Sequence, residues 1–187
     1  GTSTNAIQTN LQTLSILTPR AAYVNNTNAF NSALRLGTSI AQTMKVTADG
    51  QMVVYGPLAV GNGTLTSTNK NIQIQANVTA GQISLIQKDS ISDANGLSKI
   101  NAGAINLRST NGSVSASNLN TTAINLQAAG DVTVGTTSAL LVIANSASGN
   151  VNITTSGFTA LGGYVDPTTH EAVFGQASSA DGNFNLT

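Results

Sequence analysis

The chain has 187 residues, of which 7% are charged, and its formal net charge is +0. This length accommodates one domain with a buried core, and a hydrophobic content of 40% argues against disorder. A neutral chain has no basic field that would attract nucleic acid or an anionic membrane, so we expect neither as a partner. Because charge repulsion is weak, self-association or packing against neighbouring domains of a larger chain is favoured.

The cellular location is suggested by what the sequence lacks. Cysteine is absent, which is common in large bacterial proteins of the cell surface. The longest apolar run, Ala139 to Ala144, is too short to span a bilayer. The start at Gly1 has no charged signal region. We therefore expect a processed or excised piece of an exported protein, located outside the cell or on its surface.

Residues 1–57 are predicted to form an N-terminal capping or attachment segment. Two apolar sets have helical spacing, but the surrounding Thr, Asn and Ser have low helix propensity, so helix and extended structure both stay open. These sets are Ile7, Leu11, Leu14 and Leu17, and Phe30, Leu34, Ala41 and Met44. The β-solenoid that residues 58–157 predict needs such a cap, because its terminal coil would expose unpaired backbone groups.

Thr43 to Tyr55, inside this segment, predict a β-hairpin. Apolar residues flank the sequence Ala48-Asp49-Gly50-Gln51, and Asp-Gly is a strong signal for a tight turn between antiparallel strands. The following Gly-Pro pair is expected to end the hairpin.

Residues 58–157 predict a β-solenoid. Short alternating strands follow small polar turns, and Gly112, Gly130 and Gly149 recur at steps of roughly 18 to 19 residues. Stacked about 4.8 Å apart, such coils bury one continuous apolar column that no single coil could bury. We expect the corner glycines to adopt positive φ and residues 87–102 to form a coil with an inserted loop. The residues predicted to face inward are Ile105, Leu107, Val114, Ile124, Leu126, Val132, Val134, Leu141, Ile143, Val151 and Ile153.

Two repeat units carry a family resemblance. Residues 104–115, AINLRSTNGSVS, and 123–134, AINLQAAGDVTV, resemble the repeats of filamentous-haemagglutinin-type adhesins, and the resemblance covers about residues 70–156. It implies an all-β, right-handed parallel β-helix that Gram-negative bacteria export by two-partner secretion. It also implies a role in cell adhesion.

Residues 158–187 are predicted to leave the repeat. The segment Tyr164 to Phe174 predicts a hairpin around Asp166-Pro167-Thr168-Thr169, because proline presets the φ angle of a turn. Asn183 to Leu186 predict a final strand that pairs with its own domain or with a neighbouring subunit. Pairing within its own domain is favoured, because adding a strand to another chain needs an exposed edge.

The acidic residues offer few candidates for chemistry. Glycoside hydrolysis needs two placed carboxylates, and only Asp89 and Asp93 are close in sequence. The same loop, through Gly96, partly matches a calcium loop but lacks the closing Glu. Asp49, Asp131 and Asp166 are expected to bind their own backbone in turns. We therefore predict no catalytic residue, no cofactor and no metal site.

The remaining candidates are scattered along the chain. His170 is the only histidine and is expected to be solvated, so zinc sites and His-based triads lack ligands. Tyr23, Tyr55 and Tyr164 could stack on sugars, although packing is the plainer interpretation. Sequons begin at Asn25, Asn62, Asn77, Asn111, Asn120, Asn152 and Asn185, and whether any is glycosylated stays open.

Two functions follow from the sequence. The first is structural or adhesive and without catalysis: an extracellular β-solenoid segment of a surface adhesin, or a subunit of a surface filament or matrix, with host or matrix glycans as possible partners. The second is a β-helix that binds or degrades polysaccharides, such as part of a phage tailspike. An ice-binding solenoid is disfavoured, because Thr133 and Thr154 do not recur at one position of the coil.

Overall fold

A computed structural model of the chain describes residues 2, 4–27, 33–117, 119–136, 140–146, 148–155, 159–161, 163–165, 172–174, 180 and 182–187. Among these residues it contains β-strands and two short 3-10 turns, with no α-helix. The strands are β1 (Ile7–Thr9), β2 (Thr13–Leu14), β3 (Ala21–Asn26), β4 (Leu34–Leu36), β5 (Ser39–Ala48), β6 (Met52–Val54), β7 (Leu58–Ser67), β8 (Ile72–Ile74), β9 (Val78–Gln87), β10 (Ile100–Ser109), β11 (Val114–Ala116), β12 (Ala123–Ala128), β13 (Val132–Thr136), β14 (Leu140–Ser146), β15 (Val151–Thr155), β16 (Thr159–Leu161), β17 (Gly163–Val165), β18 (Ala172–Phe174) and β19 (Phe184–Leu186).

These strands stack into a parallel β-solenoid, which confirms the predicted fold class. One sheet has nine strands in the order β1-β3-β5-β7-β9-β10-β12-β14-β16. Two four-stranded sheets follow each other along the stack, in the orders β2-β4-β6-β8 and β11-β13-β15-β19. Neighbours in all three sheets pair in parallel, because each strand meets its equivalent in the next coil.

The length of one coil is the distance in sequence between residues that pair in register. Ala104 pairs with Ala123, and Ala123 pairs with Leu141. One coil therefore takes roughly 18 to 19 residues here, which confirms the predicted period. It rises to roughly 22 residues between the paired Gln82 and Ala104. The longer coil predicted for residues 87–102 is therefore confirmed.

The extra residues of that coil form two 3-10 turns, Asp93–Asn95 and Leu97–Lys99. Gly96 joins them with a φ of 84°, and a Cβ at this position would collide with the carbonyl oxygen of Ile74. Both the left-handed backbone and the close approach require glycine here.

The N-terminal segment is extended and belongs to the solenoid. Residues that could have formed helices lie in strands instead: Leu34 in β4, and Ala41 and Met44 in β5. β5 pairs in parallel with β7 across the boundary drawn at residues 57 and 58. The described strands of residues 1–57 are thus coils of the parallel stack. Phe30 lies outside the described residues.

The hairpin predicted for Thr43 to Tyr55 is wrong. β5 and β6 belong to different sheets, and each pairs with the next coil, Ala48 with Ser67 and Met52 with Ile72. The Asp49-Gly50 turn is a corner of the coil. An Asp-Gly turn between two apolar strands fits both geometries, so the local signal could not separate them.

The buried core confirms most of the predicted inward set. The members that are buried are Ile105, Leu107, Val114, Ile124, Leu126, Val132, Val134, Val151 and Ile153. The side chains of Leu141 and Ile143, in β14, lie outside the described residues. Between them Val142, which is 0% exposed, pairs in register with the core residue Ile124.

Val142 is therefore a core residue of β14 that the predicted inward set does not contain. The apolar run Leu140 to Ile143 is unbroken, so its sequence does not reveal which residues face the core.

The hairpin and the last strand agree with the sequence prediction, whereas β16 and β19 continue sheets of the solenoid beyond the boundary predicted at residue 157. β17 and β18 form an antiparallel pair in which Tyr164 lies opposite Val173, which confirms the hairpin. The turn residues 166–169 and His170 lie outside the described residues. β19 pairs with β15 of its own sheet, so the last strand completes its own domain.

Candidate binding site at the bend of the long strands

The buried positions of the ten-residue strands shift by one residue at a point that we call the bend, where β7, β9 and β10 have glycine and β5 has Gln42. In β9, Ala80 and Ile83 both belong to the core, so the inward phase shifts between them. The register of paired residues is also interrupted at Gly81. A Cβ on Gly81 or Gly103 would lie 2.8 Å from the carbonyl oxygen of the glycine one coil earlier. At Gly81 and Gly103 neighbouring strands therefore approach too closely for a side chain.

A cavity of about 310 Å³ lies along this bend. Its lining residues come from four consecutive coils and occupy two adjacent positions of the coil. They are Asn62, Gly81, Gln82, Gly103, Ala104, Thr122 and Ala123. Glycine and alanine leave room here that larger side chains would fill, so the bend creates the cavity. None of these residues is charged, so the described lining is neutral; most of its surface is apolar, and its polar side chains are those of Asn62, Gln82 and Thr122.

Gln82 is the unusual residue of this lining. Its side chain is only 5% exposed, and neither its Nε2 nor its Oε1 has a hydrogen-bond partner among the described protein groups. A buried amide without partners loses its hydration without compensation, at a cost of about 1–3 kcal/mol for each group. Sequence reasoning missed this site, because a glutamine in a strand that alternates is ordinarily assigned to the solvated face.

Gln87 lies in the same strand and shows the opposite behaviour. It is 1% exposed, and its Oε1 accepts a hydrogen bond from the backbone N–H of Ile72 at 2.8 Å. Its Nε2 donates to the carbonyls of Ser90 at 2.9 Å and Asp89 at 3.3 Å. The fold therefore satisfies one buried glutamine of β9 fully and leaves the other without partners.

A second cavity, of about 260 Å³, lies on the first coils. Its described lining residues are Thr4, Ala6, Gln8, Tyr23, Val24, Asn25, Lys45 and Thr47. Tyr23, one of the three tyrosines considered for sugar stacking, lines this cavity. The amide of Asn25 donates to Oε1 of Gln8 at 3.0 Å, so these two polar groups bind each other.

Of the predicted acidic pair, Asp93 binds through its carboxylate and Asp89 through its backbone carbonyl. The carboxylate of Asp93 accepts hydrogen bonds from the backbone N–H of Ser117, at 3.2 Å to each oxygen, and from the Ser117 hydroxyl. Asp89 is exposed, and its carbonyl accepts the Ser109 hydroxyl at 2.9 Å. These contacts hold one coil to the next.

In the partial calcium loop, the side chain of Asn95 forms hydrogen bonds within the protein. Asn95 accepts the Ser92 N–H at 2.9 Å and donates to the carbonyl of Ile72 at 2.6 Å. Across the described parts of the chain, no three His, Cys, Asp or Glu side chains form a group that could hold a metal ion.

Asp131 belongs to a ladder at one corner of the coil. At each step of this corner ladder a side-chain oxygen accepts the backbone N–H of the equivalent residue in the next coil, at 2.7–3.0 Å. The ladder runs through Ser90, Ser113, Asp131, Asn150 and Asn183. The expectation that Asp131 would bind its own backbone is therefore wrong.

The corner glycines beside this ladder are needed because neighbouring coils approach closely there, and not because their φ angles are positive. A Cβ on Gly130 would meet the Ser113 hydroxyl, and one on Gly149 would lie 2.8 Å from the Asp131 nitrogen. Gly96 is the glycine with positive φ among the described residues, so the expected positive φ at these corners is wrong.

Replacing Asp131 by Ala is expected to lower the free energy of unfolding by about 1 kcal/mol, because the N–H of Asn150 loses its acceptor. For a chain of this size the melting temperature should fall by about 2–4 °C. Asp131→Asn keeps an acceptor oxygen and should melt close to the unchanged protein. Equal losses in both variants, measured by circular dichroism, would refute the ladder.

The sugar-stacking candidate Tyr55 and the threonines considered for ice binding are also described. The guanidinium of Arg35 lies 4.9 Å from the ring centre of Tyr55, a cation–π contact on the surface. Thr133 pairs with Asn152, whereas Thr154 pairs with Gly135, so these two threonines occupy different columns, as the argument against ice binding expects.

In the part of the chain that is described, no helix is long and apolar enough to cross a membrane.

Comparison of the chain with models of protein families, with curated proteins and with solved structures finds no match.

Proposed function

We propose that the chain is a non-catalytic structural or adhesive protein of the cell exterior: a β-solenoid segment of a surface adhesin or a subunit of a surface filament. The observation that carries the proposal is the continuous parallel stack, in which a nine-stranded sheet runs from β1 to β16. Such a stack is a stiff rod with regular faces, a form suited to extension away from a surface.

The two ends of the stack support association with a further coil. β1 and β2 are end strands of their sheets, and near them Ile7 and Leu17 are 52% and 72% exposed. At the other end β19 is the last strand, and Leu186 is 51% exposed. Within the described residues these strands have a neighbour on one side only, and such an edge with apolar residues beside it favours pairing with a further solenoid coil, of the same chain or of another.

The repeat units give the adhesin interpretation further support. The two units that resemble filamentous-haemagglutinin repeats lie in adjacent coils, where Ala104 pairs with Ala123 and Leu107 with Leu126. The sequence repeat is therefore also the structural repeat, as the resemblance expects. The family membership and the export route belong to the proposal.

The location can be tested on intact cells of the source organism. Antibodies against the purified chain should label the surface of unpermeabilised cells, and external protease should remove the label. Labelling that requires permeabilisation would overturn the extracellular assignment. Negative-stain images of the purified chain separate the two forms: filaments indicate a polymerising subunit, and isolated rods indicate an adhesin segment.

A second function, polysaccharide binding without hydrolysis, is favoured by the neutral cavity at the bend. Thr122 contributes an exposed hydroxyl-bearing side chain to the lining, and the amide of Gln82 is buried beside the cavity. This function is compatible with an adhesive role, because adhesins bind glycans of a host or matrix.

A further inference from the structure

We infer that the cavity at the bend of the long strands is a binding site for a neutral, hydroxyl-rich ligand, namely one or two sugar units of a saccharide. This inference names a ligand class for the proposed adhesive role. The binding itself is argued from the structure, and only its biological setting rests on the proposed function. Two independent observations carry it: the cavity, and the unpartnered amide of Gln82 beside it.

The first step concerns the cost of the unpartnered amide. Gln87 shows that this same strand can satisfy a buried glutamine with three hydrogen bonds. A leucine or methionine at position 82 would fill similar space without unpaired polar atoms. The chain instead keeps a group that is destabilising as it stands. Each buried polar group left unpaired in a native structure calls for an explanation, and here a ligand would supply the missing partners.

The second step concerns the chemistry of the ligand. A primary amide offers two N–H donors and one carbonyl acceptor at adjacent positions. Neighbouring hydroxyl groups of a sugar can donate to Oε1 and accept from Nε2 at the same time. The described lining has no charge, so it gives no preference to phosphate, sulfate, carboxylate or amine groups.

The third step concerns size and access. A volume of about 310 Å³ lies at the lower end of the range for small-ligand sites, which suits one or two sugar rings. Gly81 and Gly103 have no side chains to close the cavity. Gln82 has three side-chain torsions, so its amide can turn into the cavity without movement of the strand. Without an aromatic platform in the described lining, we expect affinity in the millimolar range.

The test uses the purified full chain and a panel of neutral disaccharides: maltose, cellobiose, lactose and N,N′-diacetylchitobiose. Binding is followed by NMR titration, with the side-chain NH₂ signal of Gln82 as the direct probe. We expect saturable shifts of this signal with at least one sugar. Gln82→Met should weaken that binding about tenfold, which corresponds to about 1.4 kcal/mol.

The control is Gln127→Met, an exposed glutamine of β12 that does not line the cavity. It should leave the affinity unchanged. Failure of every sugar to shift the Gln82 signal, or equal affinity for the protein and its Gln82→Met variant, would overturn the inference. Because the measurement uses isolated protein, these outcomes leave the cell-surface experiment unaffected.

Discussion

Replacing Val132 by Asp is expected to prevent folding of the chain. Val132 is completely buried and pairs in register with Val114 on one side and Val151 on the other. A carboxylate here would enter the shared core without a hydrogen-bond partner, at a cost of at least about 5 kcal/mol. That cost is comparable to the total stability of many domains. Far-UV circular dichroism should show loss of strand signal and of a cooperative melt.

The matched control is the next residue, Thr133→Asp. Thr133 is exposed and pairs with Ser115 and Asn152, so the new charge stays in water. Its melting temperature should stay within a few degrees of the unchanged protein. A Val132→Asp variant that melts in the same range as Thr133→Asp would show that the inward face has been assigned wrongly.

The fold was predictable from the residues that repeat most regularly. In the units from Ala104 and from Ala123, the alternation of Ile, Asn and Leu indicates which face is buried, and the pairing in register bears this out. Only the buried face recurs in every coil, because all coils share one core. The corner residues recur less regularly, since Ser, Asp and Asn can all provide the acceptor oxygen of the corner ladder.

The N-terminal coils were harder to predict because the spacing of their apolar residues matches the period of an α-helix. Ile7, Leu11 and Leu14 have the spacing of a helical face, yet they lie in two different strands and in the link between them. Coil length also varies here: it is roughly 17 residues between the paired Ile7 and Val24 and roughly 22 residues between Ala21 and Thr43. Uneven coils hide a repeat from inspection of a single sequence, since neighbouring coils align only after pairing is known.

A column of buried polar residues was missed entirely. Asn26, Ser67, Gln87 and Ser109 end the long strands on the inward face, and their side chains bind backbone groups of nearby turns. Their spacing in the sequence could have revealed them: in β9 and β10 the buried polar residue lies two residues after a core leucine, Leu85 or Leu107, and so on the same face of the strand. Sequence reasoning assigns polar residues to water, whereas a turn inside a stack needs partners for its own carbonyl and N–H groups.

The binding site escaped prediction for a related reason. At Gly81 the inward phase shifts by one residue, so alternation counted from Val78 puts Gln82 in the core and alternation counted from Leu85 puts it outside. The cavity then depends on small residues from four coils meeting at one bend. The sequence of a single coil does not indicate that small residues of neighbouring coils will lie together.

The two glutamines of β9 provide the second large effect. Gln87→Met is expected to lower the free energy of unfolding by about 3–5 kcal/mol, because it leaves the buried N–H of Ile72 and the carbonyl of Ser90 without their partners. Gln82→Met removes no hydrogen bond and eliminates two unpaired buried atoms, so stability should hold or rise by about 1 kcal/mol. The same substitution in one strand is thus expected to act in opposite directions.

Urea unfolding at equilibrium, followed by circular dichroism, measures both changes on one scale. Because the two variants exchange the same side chains, propensity and volume effects cancel in the comparison, and the difference reports the hydrogen bonds alone. A loss for Gln82→Met as large as that for Gln87→Met would mean that the Gln82 amide already has partners in the free protein. In that case the amide would have no unused capacity for a ligand, and the sugar site would lose its physical basis together with the stability prediction.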